Sequence, residues 1–259
     1  MNISEHELLD VAQEAARAAA AELMARFGKS QDGIRAKSGP TDLVSEADVA
    51  AEAAIRRVLA ARRPDDAVLG EEGGESGHGE LRWVIDPLDG TINFLFGVPQ
   101  FAVSVACEDA GGALVGVVLD PVRGETFLAT RSGRPQLNGA EIAASVRDDL
   151  SRALISTGFA YDAPVRARQA AVLSRVLPRV RDIRRAGAAA LDLAWCACGR
   201  YDGYYERGIK HWDHAAGGLI AARAGLAVEE LAPGEDGPAG LIVAPPALLP
   251  ALRGLVLGD

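Results

Sequence analysis

The chain holds 259 residues with a mass of 27.0 kDa, 49% hydrophobic and 24% charged, and carries a formal net charge of −9 at pH 7. At ~150 residues per domain this is one large domain or two small ones, with enough core to fold without disulfides or a structural metal. The composition excludes extended disorder and fibres, and the acidic balance argues against nucleic acid as a partner.

The strongest apolar stretch, 113–119, is broken by Gly116 and falls far short of the ~20 residues of a membrane helix. The opening residues, 1–7, show no basic region followed by an apolar run, so no secretory signal is expected. Cys107, Cys196 and Cys198 lack the spacing of a redox or zinc pair. They read as reduced thiols of a cytoplasmic protein.

Helical and strand patterns alternate without a long repeat, which predicts a layered α/β or α+β domain. In the first helix Ser4 and Glu7 form a capping box; Leu8, Val11, Ala15, Ala19, Leu23 and Phe27 share a face, and Gly28 ends it. A second helix is expected over 45–62, stopped by Pro64. Strands follow at 81–85, 101–107, 113–119 and 125–129. The strand at 101–107 alternates bulky Phe101, Val103, Val105 and Cys107 with small Ala102, Ser104 and Ala106. The Gly-rich segment 73–79 reads as a flexible loop, and 232–240 as a mobile surface loop.

The chain turns polar at 145–151, the softest midpoint, so two halves are expected, about 1–145 and 146–259, forming a single catalytic unit. The second half reads as strand 153–157, helix 164–177, strand 181–184, helix 188–198, strand 201–205, helix 213–224, then strands near Ala227 and Leu241. Walker, nucleophile-elbow and zincin motifs are missing.

The chemistry concentrates in carboxylates. Glu71 and Glu72 follow an apolar run through Gly70, and Asp86 and Asp89 follow the strand ending at Ile85. Strand ends are where α/β folds place their sites. Asp86-Pro87-Leu88-Asp89-Gly90-Thr91 joins two hard oxygen ligands to a backbone that can open a helix and hold a phosphate. Alternatively the two aspartates only initiate a turn. If Glu71, Asp86 and Asp89 converge, each pair near 4 Å repels by roughly 4 kcal/mol at a dielectric of 20. Such a cluster must hold cations or protons, and a metal is the simpler answer.

These segments, with Lys37, 42–48, 70–72, 83–94, 187–189 and Trp212-Asp213-His214-Ala215-Ala216-Gly217, resemble the inositol monophosphatase family of magnesium-dependent, lithium-sensitive phosphatases, over nearly the whole length. The resemblance implies an α/β layered sandwich of α-β-α-β-α architecture, shared with fructose-1,6-bisphosphatases. It implies two or three Mg²⁺ per site. Glu71, Asp86 and the Leu88 carbonyl would hold the first; Asp86, Asp89 and Asp213 the second; a third would sit near Glu71. Glu71 with Thr91 would position the attacking water and Asp48 would support Thr91. Gly90 and Thr91 would offer amides to phosphate, while Gly187, Ala188, Ala189, Glu206 and Asp213 would face the substrate. A homodimer acting on a small phosphorylated polyol or sugar, foremost myo-inositol 1-phosphate, is implied.

Several residues carry a plainer reading. Ser45 and Asp48 fit an ordinary capping box, and Asp213 fits an N-cap. Of Glu71 and Glu72, strand alternation allows one direct ligand unless the strand has already ended, and Glu71 is the choice. His211 and His214 are expected near the site without binding magnesium; Trp83, Trp195 and Trp212 are expected to pack. Gly217 and Gly218 suggest close helix packing. Only Lys29, Lys37 and Lys210 are lysines, and Lys37 and Lys210 are expected beside phosphate or water. Ala188 replaces a hydroxyl residue of many relatives, which leaves histidinol-phosphate, fructose 1,6-bisphosphate and adenosine 3′,5′-bisphosphate as alternative substrates. A non-enzyme alternative is an interaction protein of the transcription and ribosomal RNA machinery, and another is a cation or phosphate sensor.

Overall fold

The computed structural model describes residues 3–29, 35–39, 42–235 and 237–258; of 35–39 and 42–44 the backbone alone is described. Helices α1 (Glu5–Arg26) and α2 (Glu46–Arg62) pack side by side, each opened by a capping box, Ser4 with Glu7 and Ser45 with Asp48. A short antiparallel pair, β1 (Arg35–Gly39) and β2 (Asp42–Val44), lies between them in sequence.

An eight-stranded sheet follows: β3 (Ala67–Gly70), β4 (Gly74–Ser76), β5 (Arg82–Asp89), β6 (Ala102–Asp109), β7 (Gly112–Asp120), β8 (Glu125–Thr130), β9 (Gln136–Leu137) and β10 (Ala140–Glu141), in the order β10-β9-β8-β7-β6-β5-β3-β4. Helix α3 (Thr91–Leu95) interrupts it after β5. The second sheet has the order β12-β11-β13-β15-β14, from β11 (Leu154–Thr157), β12 (Asp182–Arg184), β13 (Gly203–Arg207), β14 (Ala227–Leu231) and β15 (Gly240–Ala244). Its helices are α4 (Ala163–Val176), α5 (Ala189–Ala197), α6 (His211–Arg223) and α7 (Leu249–Leu257).

Four apolar clusters join five layers. Leu8, Ala15, Leu23 and Ile55 of α1 and α2 meet Trp83, Ile85, Val103 and Val117 on one face of the large sheet. Val84, Ala102 and Ala106 on its other face meet Ala190, Ala194 and Ala216 of α5 and α6. The reverse sides of α5 and α6, through Leu193 and Ala221, meet Tyr204 and Val243. Tyr205 and Ile242 turn the other way, to Val172 and Val176 of α4 and Leu252 of α7. The order is therefore α-β-α-β-α, as expected.

The small residues of β6 have a steric role. They face the middle helices together with Gly116, the β7 partner of Ala106, where a Cβ would lie 2.9 Å from the Ala216 backbone. Gly217 likewise makes room for Leu193, whose Cβ a side chain there would meet at 2.8 Å. Gly218 has open space around it and does not serve packing.

Some elements depart from the sequence reading. Part of the Gly-rich segment is strand β4, held because Arg56 donates to the Gly74 carbonyl and the Ser76 hydroxyl. Helix α7, which carries Pro250 in its first turn, had no sequence counterpart. Between β14 and β15 the loop is pinched by paired backbone bonds between Gly234 and Gly237. The three cysteines are free thiols, and Cys107 and Cys196 are buried.

Candidate active site

β3 and β5 run parallel with Gly70 opposite Ile85, so Glu71 emerges beside Asp86. On β5, Asp86 pairs with Ser104 and Asp89 with Ala102: three steps on one strand match two on the other. This is a β-bulge, and it changes which way a side chain points. Residues three apart in a regular strand face opposite sides. The extra residue returns Asp89 to the face of Asp86, the face that meets α5 and α6. Pro87 sits where a ladder donor is dispensable, and the Asp86 carboxylate accepts the Leu88 amide at 3.0 Å.

Gly90 then adopts φ +96°, and a Cβ there would lie 2.9 Å from the Gln100 carbonyl. This turn starts α3 with Thr91 at the cavity wall. The Thr91 hydroxyl lies 2.9 Å from Asp48 Oδ1 and 3.1 Å from the Leu88 carbonyl. The other Asp48 oxygen accepts the Ser45 amide and hydroxyl, at 2.9 and 2.7 Å. Capping and support of Thr91 thus coexist in one carboxylate that is 0% exposed.

Asp213 enters from α6. It is the third residue of the helix and not its N-cap, which is Lys210; Asp213 Oδ2 accepts the Lys210 amide at 2.6 Å. Asp89 caps α5, its two oxygens accepting the Ala189 and Ala190 amides at 3.0 and 2.7 Å.

These pieces open on one cavity of about 490 Å³. Glu71, Asp86, Leu88, Asp89, Gly90, Thr91, Gly187, Ala189, Glu206, Lys210 and Asp213 all line it. Asp48 stands behind Thr91. Ala188 does not reach the wall; its side chain is buried in the core between the large sheet and the middle helices. Trp212 does line the cavity, while Trp83 is buried with its indole donating to Asp66. His211 turns away to Glu108, 2.8 Å distant. The side chain of Lys37 lies outside the described residues.

Burial is the largest cause of the raised pKa values here. It lifts Asp86 well above the carboxylate range, reinforced by the charges of Glu71, Asp89 and Asp213. Burial also lifts Asp89 to about 7, opposed by the two α5 amides, and Asp213 to about 8. Glu206 is lifted to about 7 by burial, opposed by the Tyr204 hydroxyl and the Arg185 charge.

The donor chemistry fits a hard divalent cation. Four carboxylates and a carbonyl from three chain segments face one cavity, and Asp213 hydrogen-bonds to Asp86. Carboxylates this buried and this close favour a proton or a cation over bare charge. Among the described residues no three acidic, imidazole or thiol groups are gathered so as to hold a metal ion by themselves. Hard cations of the Mg²⁺ kind complete their shells with water and substrate oxygen.

Residues 4–256 match the inositol monophosphatase family. The chain belongs to that family. An inositol-1-monophosphatase of Mycobacterium leprae is 46% identical over 226 residues, 82% of this chain and 76% of the relative. The Nus factor SuhB of Escherichia coli is 40% identical, covering 89% and 88%. The crystal structure of the extragenic suppressor protein suhB from Bartonella henselae superposes with a TM-score of 0.89 at 36% identity, covering 97% and 99%. Membership of the inositol monophosphatase family makes this chain a phosphatase. Among its described residues no helix is long and apolar enough to cross a membrane.

Sequence reasoning missed the residues that hold the site in shape. Glu52 accepts the Glu72 and Gly73 amides at 2.7 and 2.8 Å, fixing the turn that carries Glu71. Asn93 donates to the carbonyls of Gln100 and Ala186, tying α3 to the segment before α5. Arg185 joins the cavity wall, and Asp192 lies buried near it with Oδ1 unpartnered. The Asp86-to-Thr91 block names the site, but nothing local in the chain marks Glu52, whose partners lie 20 and 21 positions away.

Proposed function

We propose that the enzyme hydrolyses a small phosphorylated polyol or sugar, foremost myo-inositol 1-phosphate, with Mg²⁺ as cofactor. The observation that carries this is the meeting of Glu71, Asp86, Asp89 and Asp213 in one cavity beside Gly90 and Thr91. Glu71, Asp86 and the Leu88 carbonyl would hold one cation, and Asp86, Asp89 and Asp213 a second. A third near Glu71 belongs to the same reading. Bound magnesium supplies the Lewis acidity that makes water a nucleophile near neutral pH and offsets the phosphate charge.

The protein's own groups do the rest. Thr91 commits its one proton to Asp48, which leaves hydroxyl lone pairs to accept a hydrogen from the attacking water. Glu71 accepts the other. The first amides of α3, at Gly90 and Thr91, have no acceptor within their own helix and suit phosphate oxygens. Gly187, Ala189 and Glu206 form the wall for the alcohol. Lys210, exposed at the rim, adds positive charge where the anion enters. The two halves act as one catalytic unit. Family resemblance supports a cytoplasmic homodimer, which light scattering tests.

A phosphate-release screen over inositol, sugar, histidinol and nucleotide phosphates, with Mg²⁺ and Li⁺ varied, tests the reading. A higher kcat/KM for any other class than for inositol phosphate reassigns the substrate. The name of the E. coli relative carries a second reading, a binding role in the transcription machinery. That role would survive Asp86→Asn, whereas hydrolysis would not.

A further inference from the structure

Glu206 sits in a seat made by two residues outside the reaction centre. Tyr204 precedes it by two positions on β13, so both side chains leave the same face of the strand. Tyr204 is 0% exposed, and its hydroxyl donates to Glu206 Oε2 at 2.9 Å. Behind the carboxylate lies Gly158, the first residue after β11, the strand that pairs in parallel with β13. A Cβ on Gly158 would overlap the carboxyl group of Glu206. Gly158 is not among the positive-φ glycines. An L side chain therefore suits its backbone, and the free space is what the glycine provides. Arg185 lines the same cavity, and its charge acts on the same carboxylate.

We propose that Gly158 and Tyr204 are positioning residues: they seat Glu206 against the end of β11, and this seat sets which alcohol the phosphatase accepts. The inference rests on the reading that Glu206 accepts hydrogen bonds from substrate hydroxyls. A carboxylate with one oxygen tied to Tyr204 and its back against the chain has one orientation left for its remaining lone pairs. Polyols whose hydroxyls meet those lone pairs bind. The phosphate end of the cavity, built by other strands, is unaffected.

The experiment compares wild type, Gly158→Ala, Tyr204→Phe, Glu206→Gln and the two double variants with Glu206→Gln. Each is assayed with Mg²⁺ on myo-inositol 1-phosphate and on p-nitrophenyl phosphate, which has no hydroxyl beside its ester. Gly158→Ala and Tyr204→Phe are expected to raise KM for the inositol phosphate roughly tenfold, the scale of one charged hydrogen bond, with kcat nearly held. For Gly158→Ala and Tyr204→Phe, turnover of p-nitrophenyl phosphate should change less than about twofold, a small fraction of the free energy of one hydrogen bond, and shows that these two variants are folded. Neither change should add to Glu206→Gln. Equal losses on both substrates, or additive losses, would overturn the seat. Wild type that hydrolyses p-nitrophenyl phosphate and no polyol phosphate would instead overturn the substrate class, and the seat with it.

Discussion

The Thr91 hydroxyl reaches the Asp48 carboxylate at 2.9 Å across 43 residues of chain, joining the first turn of α3 to the first turn of α2. One carboxylate caps a helix with one oxygen and orients a hydroxyl with the other. Asp48→Asn replaces an acceptor by a donor on one side, so one of the two jobs must fail. The expected outcome is a loss of about 1 kcal/mol in stability if the amide displaces the cap, or a fall in kcat of roughly 10- to 100-fold if it displaces the Thr91 contact. Thr91→Ser keeps the hydroxyl and most of the activity; Thr91→Val does not. Chemical denaturation and steady-state kinetics check both.

Metal-free protein should become less stable as pH rises from about 4 to 8. Burial raises Asp89 to about 7 and Asp213 to about 8, against an ordinary aspartate near 4 when unfolded. In that window the native state holds more protons than the unfolded state, so stability falls with pH. Glu108 and Glu125 are lowered by their partners, and His214 is lowered to about 4 by burial. Their opposite contribution is complete before pH reaches about 7 and is outweighed by Asp86, Asp89, Asp192, Glu206 and Asp213, all raised by burial. Magnesium takes the place of those protons, so its stabilising effect should be larger at pH 8 than at pH 5, and its binding should release protons. Thermal melts with EDTA or Mg²⁺ at the two pH values measure the first. Calorimetry in buffers of different ionisation enthalpy measures the second.

Gly217 and Gly218 are neighbours in α6 with opposite surroundings. Gly218→Ala should stabilise the protein by up to about 1 kcal/mol, the helix preference of Ala over Gly. Gly217→Ala pushes a methyl into Leu193, 2.8 Å away, and should destabilise by about 1–3 kcal/mol. Matching signs for the two would mean that α5 and α6 do not pack as described.

Glu52 holds the turn carrying Glu71 through two backbone amides and is itself paired to Arg56 at 2.7 Å. Glu52→Ala leaves buried donors without an acceptor, a cost of about 1–3 kcal/mol. Because Glu71 loses its support, the magnesium concentration for half-maximal rate should rise by roughly 10-fold or more. Stability and magnesium titration of the rate check the two parts separately.

How much of this could be read from the chain follows the range of the interactions. The capping box of α1 spans four residues, and α1 starts where Ser4 and Glu7 say it should. The alternation of 101–107 correctly separates a bulky face from a small one, because side-chain period is local. The bulge in β5 is invisible from β5 alone: it exists only in its register with β6. Glu71 faces the cavity and Glu72 does not, yet the strand-alternation argument for choosing it does not hold, since β3 has already ended at Gly70. Gly158 illustrates the limit: it follows the expected strand 153–157, and nothing near it in the chain points to its partner Glu206, on β13.

The proposed magnesium-dependent centre draws its carboxylates from the turn after β3, from β5 and from α6. Phosphate release from myo-inositol 1-phosphate by wild type and Asp86→Asn, followed across a magnesium titration from an EDTA-stripped start, tests it most directly. A saturable rise from a negligible baseline is expected for wild type. For Asp86→Asn the expected rate is lower by more than roughly 100-fold, with a metal-free melting temperature at neutral pH no lower than wild type, because a buried carboxyl that folding must keep protonated there has gone. Wild-type rates that persist in EDTA, or an Asp86→Asn enzyme that responds to magnesium as wild type does, would contradict it.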